Sequence, residues 1–286
     1  MSSLFPLEGS KSYLDRSILQ QCPAHVCWAE PFAGSLALLW AKSKSKVECV
    51  ADINQDIVYF YQALRDSGSN QAMMEAFQWQ CMNLPDSREL YQDLFKKWHR
   101  GWRPEHPVER AAIWYFIQCL SVNGKRGWSF SPVFNKAEFW QLHVQRLPWF
   151  ASRLRSVQIE HQDFRKFIPQ WDRPTTLFYC DPPYVGVPGI KEYYGSGFTE
   201  QDHRDLAVIL NQIAGKAIVS YYPHPLVDEL YKGWHRQVIK VIKGPSAVNP
   251  GEDTLSAEEL LLFNFPPLPL FANLDEEGGS DVELDG

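Results

Sequence analysis

Residues 175–184 constrain the fold of this chain more than any other stretch. Thr175-Thr176-Leu177-Phe178-Tyr179 is apolar and β-prone, as a strand buried on both faces of a parallel sheet should be. Cys180-Asp181-Pro182-Pro183-Tyr184 follows, and its two prolines end the strand, because each fixes φ and neither has an N–H to donate. Asp181 is therefore expected at the carboxyl end of a central strand on stiff backbone, with an aromatic ring three residues on. In open α/β sheets that edge is where ligands bind. The same residues also read as a strand followed by a plain surface turn with Tyr184 in the core, so the two readings have to be separated by the rest of the chain.

Upstream, His25-Val26-Cys27-Trp28-Ala29 reads as a strand, Glu30-Pro31-Phe32-Ala33-Gly34-Ser35 as a small-residue turn, and Leu36-Ala37-Leu38-Leu39-Trp40 as a helix. This is the opening of a Rossmann-type unit, but it departs from G-x-G-x-x-G, so a pyrophosphate is not expected there. Gly34 would let backbone approach a ligand without phosphates. A second strand, Val47–Ala51, ends in Asp52, which follows Gly34 at a spacing suited to an acid that takes ribose hydroxyls. The alternative for Asp52 is a turn or capping residue. Asn54 is an N-cap candidate for a helix whose apolar face is Ile57, Phe60, Tyr61 and Leu64.

From about residue 66 to 155 helical, aromatic-rich segments run without parallel-strand signals between them. They lead to Asn123-Gly124-Lys125-Arg126-Gly127-Trp128, read either as a surface hairpin or as phosphate contacts with a base-probing ring. The α/β pattern resumes at Val157–His161, followed by Asp163 and Phe164, an acid and a ring that suit an adenine or serve as a cap and a core residue. Thr199-Glu200-Gln201-Asp202 is a capping box for a helix expected to end at Gly215, and strands are expected at Ala217–Tyr221, Val238–Ile242 and Leu260–Phe265. Beyond Pro266 the chain is proline-rich and then acidic, the composition of a disordered tail.

Charge is uneven along the 286 residues. The net charge of −6 resides in residues 274–286, whose six acids have no basic neighbour; without them 28 acids face 28 bases. Residues 96–173 carry 14 Lys and Arg against 6 Asp and Glu, a basic middle that suits nucleic acid. No apolar run is long enough to span a bilayer and the N-terminus lacks a secretory signature. The six cysteines show neither a C-x-x-C pair nor metal-ligand spacing, so no metal site is expected, and a reduced cytoplasm is the expected location.

Phe32/Gly34, Asp52, Asp163 and Asp181 thus all fall at strand carboxyl ends, which a parallel sheet lines up along one crevice. Together they suit an adenosine-bearing cofactor beside a carboxylate that activates an amine. An exocyclic nucleobase amine is a poor nucleophile because its lone pair is delocalised into the ring. Asp181 and the carbonyl of Pro182, accepting its two N–H bonds, would draw the nitrogen toward tetrahedral geometry and strengthen as positive charge develops. Tyr184 would stack on a base that has left its duplex.

At this point the sequence resembles the DNA adenine-N6 methyltransferases of the Dam type (D12 class). The matching segments are Glu30–Gly34, Ala51-Asp52-Ile53-Asn54-Gln55-Asp56, Asn123-Gly124, Gln162-Asp163-Phe164, Cys180–Tyr184 and Ser256-Ala257-Glu258-Glu259-Leu260-Leu261-Leu262, in the family's own order. The resemblance implies a Rossmann-like α/β sheet that binds S-adenosyl-L-methionine, built from residues 1–54 and 156–266. It implies a mainly helical DNA-recognition insert at 55–155, with 267–286 as the acidic tail. It makes Asp181, Pro182 and Tyr184 catalytic, and gives the cofactor Leu7, Lys11, Phe32, Gly34, Asp52, Asp163, Phe164 and Asp181. Asn123, Lys125, Arg126 and Trp128 resemble the start of the family's DNA-reading loop. The implied partner is double-stranded DNA and no metal is needed; the oligomeric state is left open, with a monomer favoured. Transfer to N4 of cytosine or to RNA adenine, and a catalytically silent DNA-binding homologue, are the alternatives. Restriction-modification, repair marking and phage self-protection are all compatible settings.

Overall fold

In a computed structural model, residues 4–5, 14–121, 127–128, 135–186, 197–242 and 256–268 are described. Seven strands form one sheet in the order β3-β2-β1-β4-β5-β7-β6. They are β1 (Cys27–Glu30), β2 (Val47–Asp52), β3 (Val157–His161), β4 (Thr176–Cys180), β5 (Lys216–Tyr221), β6 (His235–Ile242) and β7 (Ser256–Phe263). The first five are parallel, while β7 runs antiparallel to both β5 and β6. The central strand β4 is buried at every position, as its apolar sequence requires.

Alternation along the strands sorts two cores. Trp28, Val50, Leu177, Tyr179, Ile218 and Leu261 point to one face of the sheet. Five helices join them there between β2 and β3: α3 (Gln55–Ser67), α4 (Gln71–Met82), α5 (Arg88–His99), α6 (Pro107–Leu120) and α7 (Lys136–Leu154). The short helices α1 (Asp15–Gln20) and α2 (Ala37–Ala41) lie on the same side. Ala29, Cys49, Phe178, Cys180 and Val219 point to the other face, under α8 (Phe164–Trp171), α9 (Glu200–Leu210) and α10 (Pro225–Leu230). The helices from β2 to β3 thus share one continuous apolar cluster with the sheet. Phe60 sits at its centre, with ring contacts to Phe5, Tyr61, Phe77, Trp114 and Tyr115.

Local signals set the element ends. Asn54 caps α3 by accepting from the Asp56 N–H at 3.0 Å, and Thr199 and Asp202 form the reciprocal capping box of α9. Three sequence expectations are corrected. Helix α9 stops at Leu210, five residues before Gly215. Gly215 instead lets the chain enter β5 by a close approach that only glycine allows, because a Cβ there would meet the carbonyl oxygens of Thr176 and Arg173 at 2.8 and 2.9 Å. Strand β6 starts at His235, ahead of the expected Val238, because β7 pairs with it from His235 onward. Strand β7 starts at Ser256, four residues ahead of the expected Leu260, because it pairs with β6 from there, and it ends at Phe263, two residues before the expected Phe265, because the Asn264 side chain turns back to accept from the Ala217 N–H at 2.8 Å. The six cysteines are all free thiols.

Two ion clusters tie the layers together. Asp56 on α3 accepts from Arg103 at 2.6 Å, Arg110 at 3.1 Å and Trp98 Nε1 at 3.0 Å. On β2, buried Glu48 receives Arg153 of α7 at 2.5 and 2.8 Å and Lys42 at 2.6 Å. Burial alone would raise the Glu48 carboxyl, but Arg153 and Lys42 hold it below the usual carboxylate range. Replacing Glu48 with leucine should cost about 3–5 kcal/mol, because it strands two buried cations. Urea unfolding of Glu48→Leu at neutral pH checks this, and a loss under about 1 kcal/mol would contradict it.

Candidate active site

Three neighbouring strands run out at one edge of the sheet, β2 at Asp52, β1 at Glu30 and β4 at Cys180, with Asp181 next. The turn after β1 is held shut against β2. The Ala33 N–H donates to the Ala51 carbonyl at 2.8 Å and the Gly34 N–H to Asp52 Oδ2 at 3.0 Å. The second Asp52 oxygen accepts from the Asn54 N–H at 2.8 Å. Gly34 takes φ +46°, and Tyr61 of α3 donates to its carbonyl at 2.8 Å. Leu36 takes φ +54°, a left-handed conformation rare for a branched residue and held by the packed turn around it. Asp52 is buried, and desolvation raises its carboxyl against the two N–H bonds. The structure thus joins Gly34 and Asp52 in one hydrogen-bonded unit.

Phe32 and Phe164 also meet, with ring centroids 5.5 Å apart, and Phe198 completes a trio at 5.8 Å from each. Asp163 caps α8 by accepting from the Arg165 N–H at 2.8 Å. Its other oxygen pairs with the Arg165 guanidinium at 3.1 Å. That guanidinium lies 4.5 Å over the Phe164 ring and also pairs with Asp202 and Asp205 of α9.

At Asp181 the chain leaves β4 partly exposed, with Pro182 buried behind it. Alternation puts Asp181 on the face of Tyr179 and Leu177, and Glu30 on the face of Trp28, which is the same side of the sheet. Tyr179 stacks near Trp28 with centroids 6.3 Å apart and shares a 2.9 Å hydrogen bond with Ser220 of β5. Burial first, and then the Asp181 charge, push the Tyr179 phenol well above its usual range. The Tyr184 ring is wedged against Tyr221 (5.7 Å) and edge-on to Tyr222 (4.6 Å), and its hydroxyl donates to Glu259 of β7. Trp128 pairs with Ser121 in an isolated bridge, and its partly buried ring meets Tyr91 at 5.5 Å. Leu7, Lys11, Asn123, Lys125 and Arg126 lie outside the described residues.

Sequence reasoning attached no role to Glu30, Phe198, Tyr179, Ser220 or Glu259. Glu30 carried a signal, an acid closing the otherwise apolar strand Cys27–Glu30, whereas Glu259 is one of two adjacent acids in β7; both are buried, at 2% and 1% exposure. Among the described residues no group of three or more His, Cys, Asp or Glu is placed to hold a metal ion. No helix among them is long and apolar enough to cross a membrane.

A mostly parallel sheet covered on both faces, with its glycine turn, acids and rings along one carboxyl edge, defines a Rossmann-like α/β protein with a ligand edge at the strand ends. The family follows from the sequence match. Residues 8–244 match the D12 class of N6 adenine-specific DNA methyltransferases, and the chain belongs to that family. It is thus an enzyme of DNA adenine methylation. The DNA adenine methylase of Vibrio cholerae is 24% identical over 274 residues, covering 91% of this chain and 95% of that protein. The retron Ec67 DNA adenine methylase of Escherichia coli is 27% identical over 273 residues, covering 90% of each. The type II methyltransferase M.CviBI of Paramecium bursaria Chlorella virus NC1A is 20% identical over 210 residues, covering 72% of this chain and 76% of its own.

Glu30 carries a pH-dependent consequence. Burial pushes its carboxyl up from 4.5 to about 8; Trp28 Nε1, donating at 2.7 Å, opposes this and the Asp181 charge adds to it. In the folded protein Glu30 therefore keeps a proton that the unfolded chain gives up near pH 4.5. Stability should fall as pH rises from about 5 to 8, by up to about 1.4 kcal/mol per unit from this group, and flatten above. Glu30→Gln preserves the acceptor for Trp28 without the charge. Urea unfolding across that range should show the variant's slope reduced and its stability at pH 8 raised; identical slopes would contradict the assignment.

Proposed function

We propose that the protein transfers the methyl group of S-adenosyl-L-methionine to N6 of an adenine turned out of double-stranded DNA. The observation that carries this reading is Asp181 at the end of the fully buried central strand β4, braced by Pro182 and Pro183, with the Tyr184 ring held beside it. The cofactor's chemical features fit the residues present: a left-handed glycine turn for close backbone approach, a buried acid at the end of β2 for hydroxyls, and an aromatic trio for an adenine ring. Phe32, Gly34, Asp52, Asp163, Phe164 and Asp181 would hold it, with Leu7 and Lys11 from the N-terminal segment. When bound, it supplies an electrophilic methyl group on a positively charged sulfur.

The chain supplies the other half of the reaction. Asp181 and the Pro182 carbonyl accept the two N–H bonds of the target amine, which localises its lone pair. Both acceptors are fixed in advance, so they stabilise the positive charge that grows on nitrogen. Tyr184 stacks on the base and replaces contacts it loses on leaving the duplex. We further take residues 55–155 as the recognition insert, with Asn123, Lys125, Arg126 and Trp128 meeting DNA, and the enzyme as a cytoplasmic monomer. The basic balance of residues 96–173 supports that partner.

The test is Asp181→Ala, assayed with labelled methyl donor and mixed-sequence duplex DNA, followed by digestion to nucleosides. Wild type should yield N6-methyladenine, and the variant should lose at least about a hundredfold in rate while keeping its melting temperature. Retained activity, or label found in N4-methylcytosine or only in RNA, would overturn the proposal.

A further inference from the structure

The strand Ser256–Phe263 lies beyond the residues matched to the family, and the reaction above gives it no part. This strand, β7, runs opposite to β5, so its N-terminal half returns to the edge where the parallel strands end. Tyr221, the last residue of β5, is level with Leu260 in the ladder, which brings Glu259 to the mouth of the site. Alternation with Leu261 and Phe263 turns Glu259 to the same face as Tyr179 and Leu177. There its Oε1 accepts the Tyr184 hydroxyl.

Resting on the proposed reaction, we infer that Glu259 is a positioning residue that fixes the Tyr184 ring for stacking on the target base. Tyr221 and Tyr222 restrain the ring through contacts that tolerate sliding; a hydrogen bond at the para oxygen adds a directional point of attachment. Burial and the charges of Asp181 and Glu259 keep that phenol protonated far above its usual range, so Tyr184 donates and Glu259 accepts. Removing either partner of a hydrogen bond from a hydroxyl to a buried carboxyl takes a partner from a buried polar group. A strand that carries no other part of the reaction thus sets the orientation of an aromatic side chain next to Asp181.

The experiment compares wild type with Tyr184→Phe, Glu259→Leu, Glu259→Gln and the double variant Tyr184→Phe/Glu259→Leu. In methyl transfer to duplex DNA, Tyr184→Phe and Glu259→Leu should each lower kcat about tenfold to a hundredfold, the cost of removing one partner from a buried hydrogen bond. KM for S-adenosyl-L-methionine should stay within about twofold, because the ring faces the base. The double variant should be no slower than the slower single one, and Glu259→Gln, whose amide oxygen can accept the same bond, should recover most of the rate. Unchanged kcat in Glu259→Leu, losses that multiply in the double variant, or a Gln variant as slow as Leu would each overturn the inference. The same cycle in thermal unfolding reads the pairing without activity: melting-temperature losses that add in full would overturn it as well. Wild-type protein that transfers no methyl to DNA would instead overturn the proposed reaction and leave the pairing to the thermal cycle.

Discussion

A carboxyl group taken out of water must find donors or keep its proton, and that requirement organises this sheet. Four strand acids are buried, Glu30, Glu48, Asp52 and Glu259, and each meets the requirement differently. Glu48 is neutralised by Arg153 and Lys42, which ties α7 to β2. Asp52 draws on backbone N–H groups and so shapes the Gly34 turn. Glu30 has the Trp28 indole and retains its proton to about pH 8. Glu259 takes the Tyr184 phenol. Three of the four sit around the carboxyl edge, so the solutions to a folding problem also build the site.

The electrostatics divide by layer. The sheet edge is acidic, whereas the basic excess of residues 96–173 belongs to the stretch from α5 to α8. Part of that excess is internal. Arg103 and Arg110 serve Asp56, Arg153 serves Glu48, and Arg165 serves Asp163, Asp202 and Asp205. These guanidiniums act first as struts between elements, and their planar forks suit several acceptors at once. The charge left to meet a polyanion is therefore smaller than the residue count implies.

Much of the architecture was legible because it rests on short-range rules. Apolar runs of five or six residues marked the strands, Asn54 and Thr199 marked helix starts, and the diproline marked the end of β4. Helix α8 shows in the sequence only through its cap: Pro169 lies inside it, and that cap, Asp163, is also an acid at a strand end with a claim on the ligand edge. The end of α9 was misplaced because glycine is a frequent helix terminator, whereas Gly215 is required by the carbonyls of Thr176 and Arg173 packed against it.

The amino-acid sequence by itself determined the strand-then-diproline element, the alternation that sorts residues to two faces, and the family, since these depend on neighbours a few positions apart or on motifs kept in order. Only the tertiary structure decided which acids are buried and what satisfies them. Pairings such as Arg153 with Glu48, 105 residues apart, and Tyr184 with Glu259, 75 apart, arise where strands and helices cross. The reversal of β7 is the plainest case. Hydrophobic patterning shows that a strand exists, but its direction follows from sheet pairing, and that direction brings Glu259 to the site.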